Sequence, residues 1–281
     1  MQPKFNLSND YIVKKLQSVQ VIDIETSLVD ARVYRPGAQF VGAHQLNNFT
    51  SLLTVAGGTL YDLYTKGAKG VWSFGNHMDS KTFKNNPLDD TFVLRRIWDV
   101  LDKADVIIAH NANFDKSWIL GRFLQLGWKL PSKFSVVCSY KGLSRYNFTS
   151  KKLDFLSKQL LGTRKIATDF SLWDRCSNGE LAAFEEMMEY NIGDIHDTLY
   201  QVYLKTCSYY PDYAVDLVDY SAMTPMCKVD GGKLESAGHW VNRLNGLEYK
   251  LFTNKRLGIT YRDRYNSRSK KSGCGYIRHH I

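Results

Sequence analysis

The feature that most restricts how this chain can fold is a short run near its start, Val19-Gln20-Val21-Ile22-Asp23-Ile24-Glu25. β-Branched residues dominate it and polar positions alternate with apolar ones, so the run predicts a half-buried β-strand. Positions two apart on a strand face the same side, which sets the carboxylates of Asp23 and Glu25 next to each other. Two like charges in a poorly hydrated place are costly unless a cation neutralises them. The alternative is an exposed polar face, which is what an isolated Asp-x-Glu usually is.

The segments that follow predict the rest of a sheet. Residues 52–56 and 59–64 flank Gly57-Gly58, a hairpin signal. Val71-Trp72-Ser73-Phe74 predicts a third antiparallel strand. Residues 92–101 have apolar positions at helical spacing, and residues 105–109 form a short apolar strand followed by a helix through Trp118, Ile119, Phe123 and Leu124. A strand over 134–138 and helices over 153–161 and 181–204 complete the pattern. β-Rich segments followed by alternating strands and helices predict an α/β chain, a mixed sheet flanked by helices. The pattern weakens from Tyr209, with Pro211 and Pro225 as breakers. The expected division is therefore residues 1–208 and a small C-terminal region, 209–281.

Two more acidic elements accompany the first. His110-Asn111-Ala112-Asn113-Phe114-Asp115 follows an apolar strand and opens a helix. A carboxylate there serves either as a helix-start residue, favoured by the macrodipole, or as a ligand at a strand's C-terminal end. Tyr190-Asn191-Ile192-Gly193-Asp194 lies in a helical run, where Tyr190 and Asp194 share one face. Taken singly, that pair reads as a buried hydrogen-bonded contact.

In combination and in this order, the three elements resemble the exonuclease motifs of the DEDD superfamily, in its tyrosine-bearing subgroup. Lys152-Leu153-Asp154-Phe155-Leu156 and Phe170-Ser171-Leu172-Trp173 extend the likeness toward predicted 3′→5′ exonucleases related to the proofreading domain of family-B DNA polymerases. The resemblance covers roughly residues 17–206 and implies an RNase H-like fold. It implies that Asp23, Glu25 and Asp194 ligate one divalent ion, that Asp23 bridges to a second, and that Asp115 holds the second through water. Oxygen ligands of this kind select Mg²⁺ or Mn²⁺. Two such ions stabilise the attacking and leaving oxygens of a phosphoryl displacement, which here would release nucleoside 5′-monophosphates. Tyr190, with an intrinsic pKa near 10, is expected to orient water rather than remove a proton. Thr26, Leu28 and Asn111 are candidate contacts to the terminal nucleotide. Glu189 stands five residues before Asp194, so the pattern of the histidine-bearing subgroup is not met, and His196 is expected to be a surface or packing residue.

Charge points the same way. The chain carries a net +9, and residues 227–281 hold twelve Lys/Arg against four Asp/Glu, so nearly all the excess lies there. Trp240, Tyr249, Phe252, Tyr261, Tyr265 and Tyr276 are interleaved with those cations, a composition suited to nucleic acid. The partner expected is single-stranded DNA or a frayed end. With roughly 75 residues after the nuclease-like segment, a polymerase or replication protein would act in trans. Alternatives that stay open are an exoribonuclease resembling RNase D, a structure-selective endonuclease of the RNase H-like group, and a non-catalytic nucleic-acid-binding protein.

Relatives of this kind often end in a zinc ribbon with two Cys pairs. Here Cys227 and Cys274 stand alone, and His239, His279 or His280 would complete four ligands only by coincidence, so no zinc is expected. Five scattered cysteines, the absence of an apolar leader and the absence of any run near 18 apolar residues predict a cytoplasmic protein outside the membrane.

Overall fold

The computed structural model describes every residue except 1–6, 9, 34–39, 133, 145, 164, 166–167, 210–217, 220–225, 228–231, 242–247, 257, 267–274 and 278–281. The chain divides into two compact units, one of residues 17–205 and one made of 1–16 with 206–281. Among the described residues no helix is long and apolar enough to cross a membrane.

Helix α1 (Asp10–Gln17) ends where the larger unit begins. The alternating run then forms β1 (Val19–Thr26), the middle strand of the main sheet. Its Val21, Ile22 and Ile24 are at most 4% exposed. Burying each such side chain contributes about 1.5–3 kcal/mol, so Ile22 and Ile24 anchor one face of the strand, and Val21 anchors the start of the face that carries the carboxylates.

The sheet grows outward from β1. β2 (Leu52–Thr59) pairs antiparallel with it and is followed by α2 (Leu60–Lys66). β3 (Trp72–Gly75) pairs antiparallel with β2. After α3 (Ser80–Asn85) and α4 (Thr91–Lys103), β4 (Val106–Ala109) pairs parallel with β1, Val19 opposite Val106. Then come α5 (Asn113–Gln125) and β5 (Ser135–Cys138), parallel to β4. Helices α6 (Ser139–Gly142), α7 (Leu153–Leu161), α8 (Phe170–Ser177) and α9 (Leu181–Gly193) follow. A π-helical turn, Asp194–Tyr200, carries α9 into α10 (Gln201–Thr206). The strand order β3-β2-β1-β4-β5 makes a five-stranded mixed sheet flanked by helices, consistent with an RNase H-like fold.

Two contacts fix the frame around the site. Ala183, Phe184 and Met187 of α9 pack on Leu53 of β2 and on Leu172 and Cys176 of α8. The fully buried Asp90 accepts the Leu52 N–H at 3.0 Å and the Arg122 guanidinium through Nε and Nη2, both at 2.8 Å. One carboxylate thereby ties the start of β2 to α5 with charge-assisted bonds.

The hairpin expected at Gly57-Gly58 does not form. β2 runs straight through both glycines, and Thr59 ends it as the N-cap of α2, accepting the Asp62 N–H at 2.8 Å. The glycines answer a packing demand instead. A Cβ at Gly57 would lie 2.5 Å from the Trp72 ring and 2.5 Å from the Val21 carbonyl.

The smaller unit includes a two-stranded ladder of β6 (Val218–Asp219) with β7 (Met226–Cys227). It also includes an antiparallel sheet in the order β11-β10-β9-β8, formed by β8 (Glu235–Val241), β9 (Glu248–Asn254), β10 (Ile259–Asn266) and β11 (Gly275–Ile277). Trp240, Leu244, Leu247, Leu251 and Phe252 stand at near-helical spacing in the sequence, but Trp240 lies in β8 and Leu251 and Phe252 in β9, with Trp240 opposite Tyr249 and their ring centroids 5.8 Å apart. Leu244, Leu247, Cys274, His279 and His280 lie outside the described residues.

Candidate metal centre

Three elements converge on the carboxylates. β1 presents Asp23 and Glu25 on one side. Asp194 stands where α9 becomes the π-helical turn and is 1% exposed. One carboxylate oxygen from each of Asp23, Glu25 and Asp194 lies within 4.8 Å of the others, an arrangement able to hold a cation. Asp115, in the first turn of α5 and 3% exposed, stands outside that trio but near enough to repel Asp23 and Glu25. The β1–β4 ladder ends at Val21 with Ile108, and beyond it the Ile24 N–H favours the ionised form of the Asp115 carboxyl.

The turn at Asp194 has a local cause. The Thr198 hydroxyl donates to the Asp194 carbonyl at 2.6 Å, competing with the backbone for that acceptor. Such back-bonding loosens an α-helix, and π-turns recur at functional sites.

Side chains that carry no signal in the sequence complete the shell. Asn191, fully buried, donates Nδ2–H to Asp23 Oδ2 at 2.8 Å, and its Oδ1 accepts the Thr54 hydroxyl at 3.4 Å. Trp173 donates Nε1–H to Glu25 Oε2 at 3.3 Å and meets the Tyr190 ring edge-on, centroids 5.8 Å apart. Lys165 donates Nζ–H to Asp194 and, at 3.5 Å, to the Tyr190 hydroxyl. Nothing in the pattern around Lys165 announces it, because it lies in a loop without periodicity. Asn191 and Trp173 lie within the motif segments, where their residue types suggest framework.

The electrostatics describe a site short of positive charge. Burial, with Glu25, Asp115 and Asp194 adding repulsion, holds the Asp23 carboxyl well above its usual range. Burial and then Asp194 push Glu25 up to about 8. Burial raises Asp115 to about 7 against two backbone hydrogen bonds, and it raises Asp194 against the pull of Lys165. Burial alone would depress Lys165, but Asp194, Asp23 and Tyr190 carry it above its ordinary value, so it stays an ammonium. Tyr190 is lifted by burial and by Asp194 and keeps its proton. Two buried carboxylates, Asp115 and Asp194, and two half-buried ones, Asp23 and Glu25, around one ammonium fit a hard divalent cation: every donor is an oxygen, and burial makes their ionised forms costly without one.

The other sequence candidates fall around this cluster. Thr26 ends β1 after an irregularity in its pairing, opposite Leu52. The half-buried Leu28 gives its carbonyl to the Asn48 amide at 3.4 Å. Asn111, exposed in the turn before α5, has a φ of 56° and accepts the Phe114 N–H at 2.8 Å. His110 sets Nδ1 2.8 Å from the Ser139 hydroxyl and Nε2 2.8 Å from the Lys151 carbonyl. A carbonyl only accepts, so Nε2 carries the proton and the ring is neutral, as burial, which depresses it to about 4, also requires. His196 pairs with Asp197 at 2.6 Å away from these carboxylate contacts. The chain matches no protein-family model and no curated protein.

Proposed function

We propose that the chain is a metal-dependent 3′→5′ exonuclease acting on single-stranded or frayed DNA ends. The observation that carries this reading is the trio Asp23, Glu25 and Asp194, with its oxygens within 4.8 Å on buried elements and Asp115 and Tyr190 beside it. The direction of digestion rests on the resemblance of the three motifs to the DEDD exonucleases.

Asp23, Glu25 and Asp194 would hold one Mg²⁺ or Mn²⁺, and Asp115 with Asp23 a second. Bound there, divalent ions supply Lewis-acid polarisation of the phosphate and a bound water of lowered pKa. Asn191 and Trp173 hold the Asp23 and Glu25 carboxylates in place. Tyr190, protonated, orients the nucleophile through its hydroxyl. Lys165 contributes a fixed positive charge beside Asp194. With the four carboxylates ionised against Lys165, the site carries three net negative charges; two divalent cations and one phosphodiester bring it to neutrality.

The test is incubation of the protein with 5′-labelled single-stranded DNA and RNA in Mg²⁺, Mn²⁺ or EDTA. A descending ladder on DNA that vanishes in EDTA is the expected result. Digestion of RNA alone would transfer the reading to ribonucleic acid, and cleavage of a circular strand would make the enzyme an endonuclease. No cleavage in any metal would sink the reading.

A further inference from the structure

Among the described residues of the larger unit, several aromatic rings are well exposed. Phe40 and Phe49 lie between β1 and β2, Phe114 sits in the first turn of α5, Tyr140 follows β5 and Phe170 opens α8; each is at least 42% exposed. Three of these segments adjoin the carboxylates or their partners: the β1–β2 connection starts two residues past Glu25, α5 carries Asp115, and α8 carries Trp173, whereas Tyr140 and Tyr146, the latter 37% exposed, stand on segments that carry neither. The exposed apolar residues at and beyond the far end of α5, Leu124, Leu126 and Leu130, are aliphatic instead.

The described parts of the connection, residues 27–33 and 40–51, form a built arm. Ser27 N–H donates to the Ser51 carbonyl at 2.8 Å, Asn47 N–H to the Asp30 carbonyl at 2.8 Å and Arg32 N–H to the Gln45 carbonyl at 2.8 Å. Asp30 N–H reaches Asn48 Oδ1 at 2.8 Å, and Ala31 bridges antiparallel to Leu46. These rungs prolong the β1–β2 pairing past the carboxylates. They hold Phe49, 84% exposed, near the root, and leave Phe40, fully exposed, beyond the last rung. Val33 and Val41 beside it are 45% and 42% exposed. Asp30 is the sole acid in residues 27–51, against Arg32, Arg35 and His44.

We infer that this arm is a stacking platform for unpaired bases, on which Phe40 and Phe49 hold the strand whose end enters the carboxylate site. The inference rests on the nuclease reading and names what that reading lacks, a surface for the bases. A single strand offers a π-face at every nucleotide and a polyanionic backbone, which suits ordered, exposed rings with few acids among them. A duplex hides those faces, so the platform favours unpaired ends.

The experiment measures fluorescence anisotropy of a labelled oligothymidylate with the full-length protein, in EDTA, at several salt concentrations. Phe40→Ala and Phe49→Ala should each raise Kd about tenfold, as expected for loss of one stacked base. The slope of log K against log salt should not change, because no charge is removed. Phe40→Trp and Phe49→Trp should keep wild-type affinity. Equal affinity in the double alanine variant overturns the inference, and if that variant also sediments as a smaller species, the arm is a contact between copies of this chain. A wild-type protein that binds the oligonucleotide but hydrolyses nothing in Mn²⁺ leaves the platform standing and the nuclease reading fallen. Hydrolysis by the wild type with unchanged binding in the double variant does the opposite.

Discussion

Whether removing one member of a crowded acidic cluster helps or harms folding depends on whether that member has a cationic partner. Glu25→Gln should abolish hydrolysis yet raise the melting temperature in EDTA above about pH 8, where the wild-type side chain is ionised against its acidic neighbours. Asp194→Asn should also abolish hydrolysis but lower that temperature, because the half-buried Lys165 ammonium loses its counter-charge. Calorimetry in EDTA beside an activity assay checks both; near wild-type rates in either variant would remove that carboxylate from the ligand set. Tyr190→Phe keeps the ring against Trp173 and loses only the hydroxyl, so a fall of about 10–10³-fold in rate is expected in a single-turnover assay. The acids predict a pH dependence too. Glu25 at about 8 and Asp115 at about 7, against ordinary values of 4.5 and 3.8, mean that the folded metal-free protein binds more protons than the unfolded chain between those limits. Stability contributed by these groups is therefore complete below about pH 4 and is lost as pH rises toward about 8. Melting in EDTA from about pH 5 to about pH 8 should show a falling Tm, roughly 2–4 °C for each kcal/mol, and excess Mg²⁺ should flatten the fall.

At the scale of elements, the strand bearing Asp23 and Glu25 was legible because period-two alternation and a burial gradient coincide in one run. Asp115 was legible because a short apolar strand ends just before it. Gly57-Gly58 misled because the same dipeptide serves a tight turn and a strand that must admit a neighbouring indole, and only the position of Trp72 tells them apart. Gly57→Ala should accordingly lower stability by about 1–3 kcal/mol, the usual cost of forcing extra volume into a packed site, read from a denaturant melt. An unchanged midpoint would mean that Trp72 moves aside freely. The tail misled for a related reason: apolar residues at positions 240, 251 and 252 satisfy a helical period only while the intervening segment is taken as continuous, and β8 and β9 are separate strands. Lys165 and Asn191 were invisible because their roles depend on tertiary placement, which no local period encodes.

At the scale of the whole molecule, the acidic cluster and the basic excess are separated along the sequence. The carboxylates all lie within residues 17–205, whereas the basic excess lies in 227–281, where Lys233, Lys250, Lys255 and Arg256 are exposed. A chain ending near residue 206 should still hydrolyse short oligonucleotides but bind long single strands more weakly. Every phosphate that the tail would otherwise neutralise should flatten the salt dependence of log K by about 0.7 when the tail is removed. Binding isotherms at several salt concentrations in EDTA make the comparison, and equal slopes would show that the basic sheet is a solvated appendage.

The π-helical turn bears on ancestry. Over the same rise it uses more chain than an α-helix does, as if one residue had been inserted next to Asp194. Losing one residue between 195 and 200 would let the helix close to α while the residues that follow keep the faces they present. Sequences descended from a common ancestor with this chain should therefore align here only across a one-residue gap, and those lacking the extra residue should also lack the hydroxyl of Thr198.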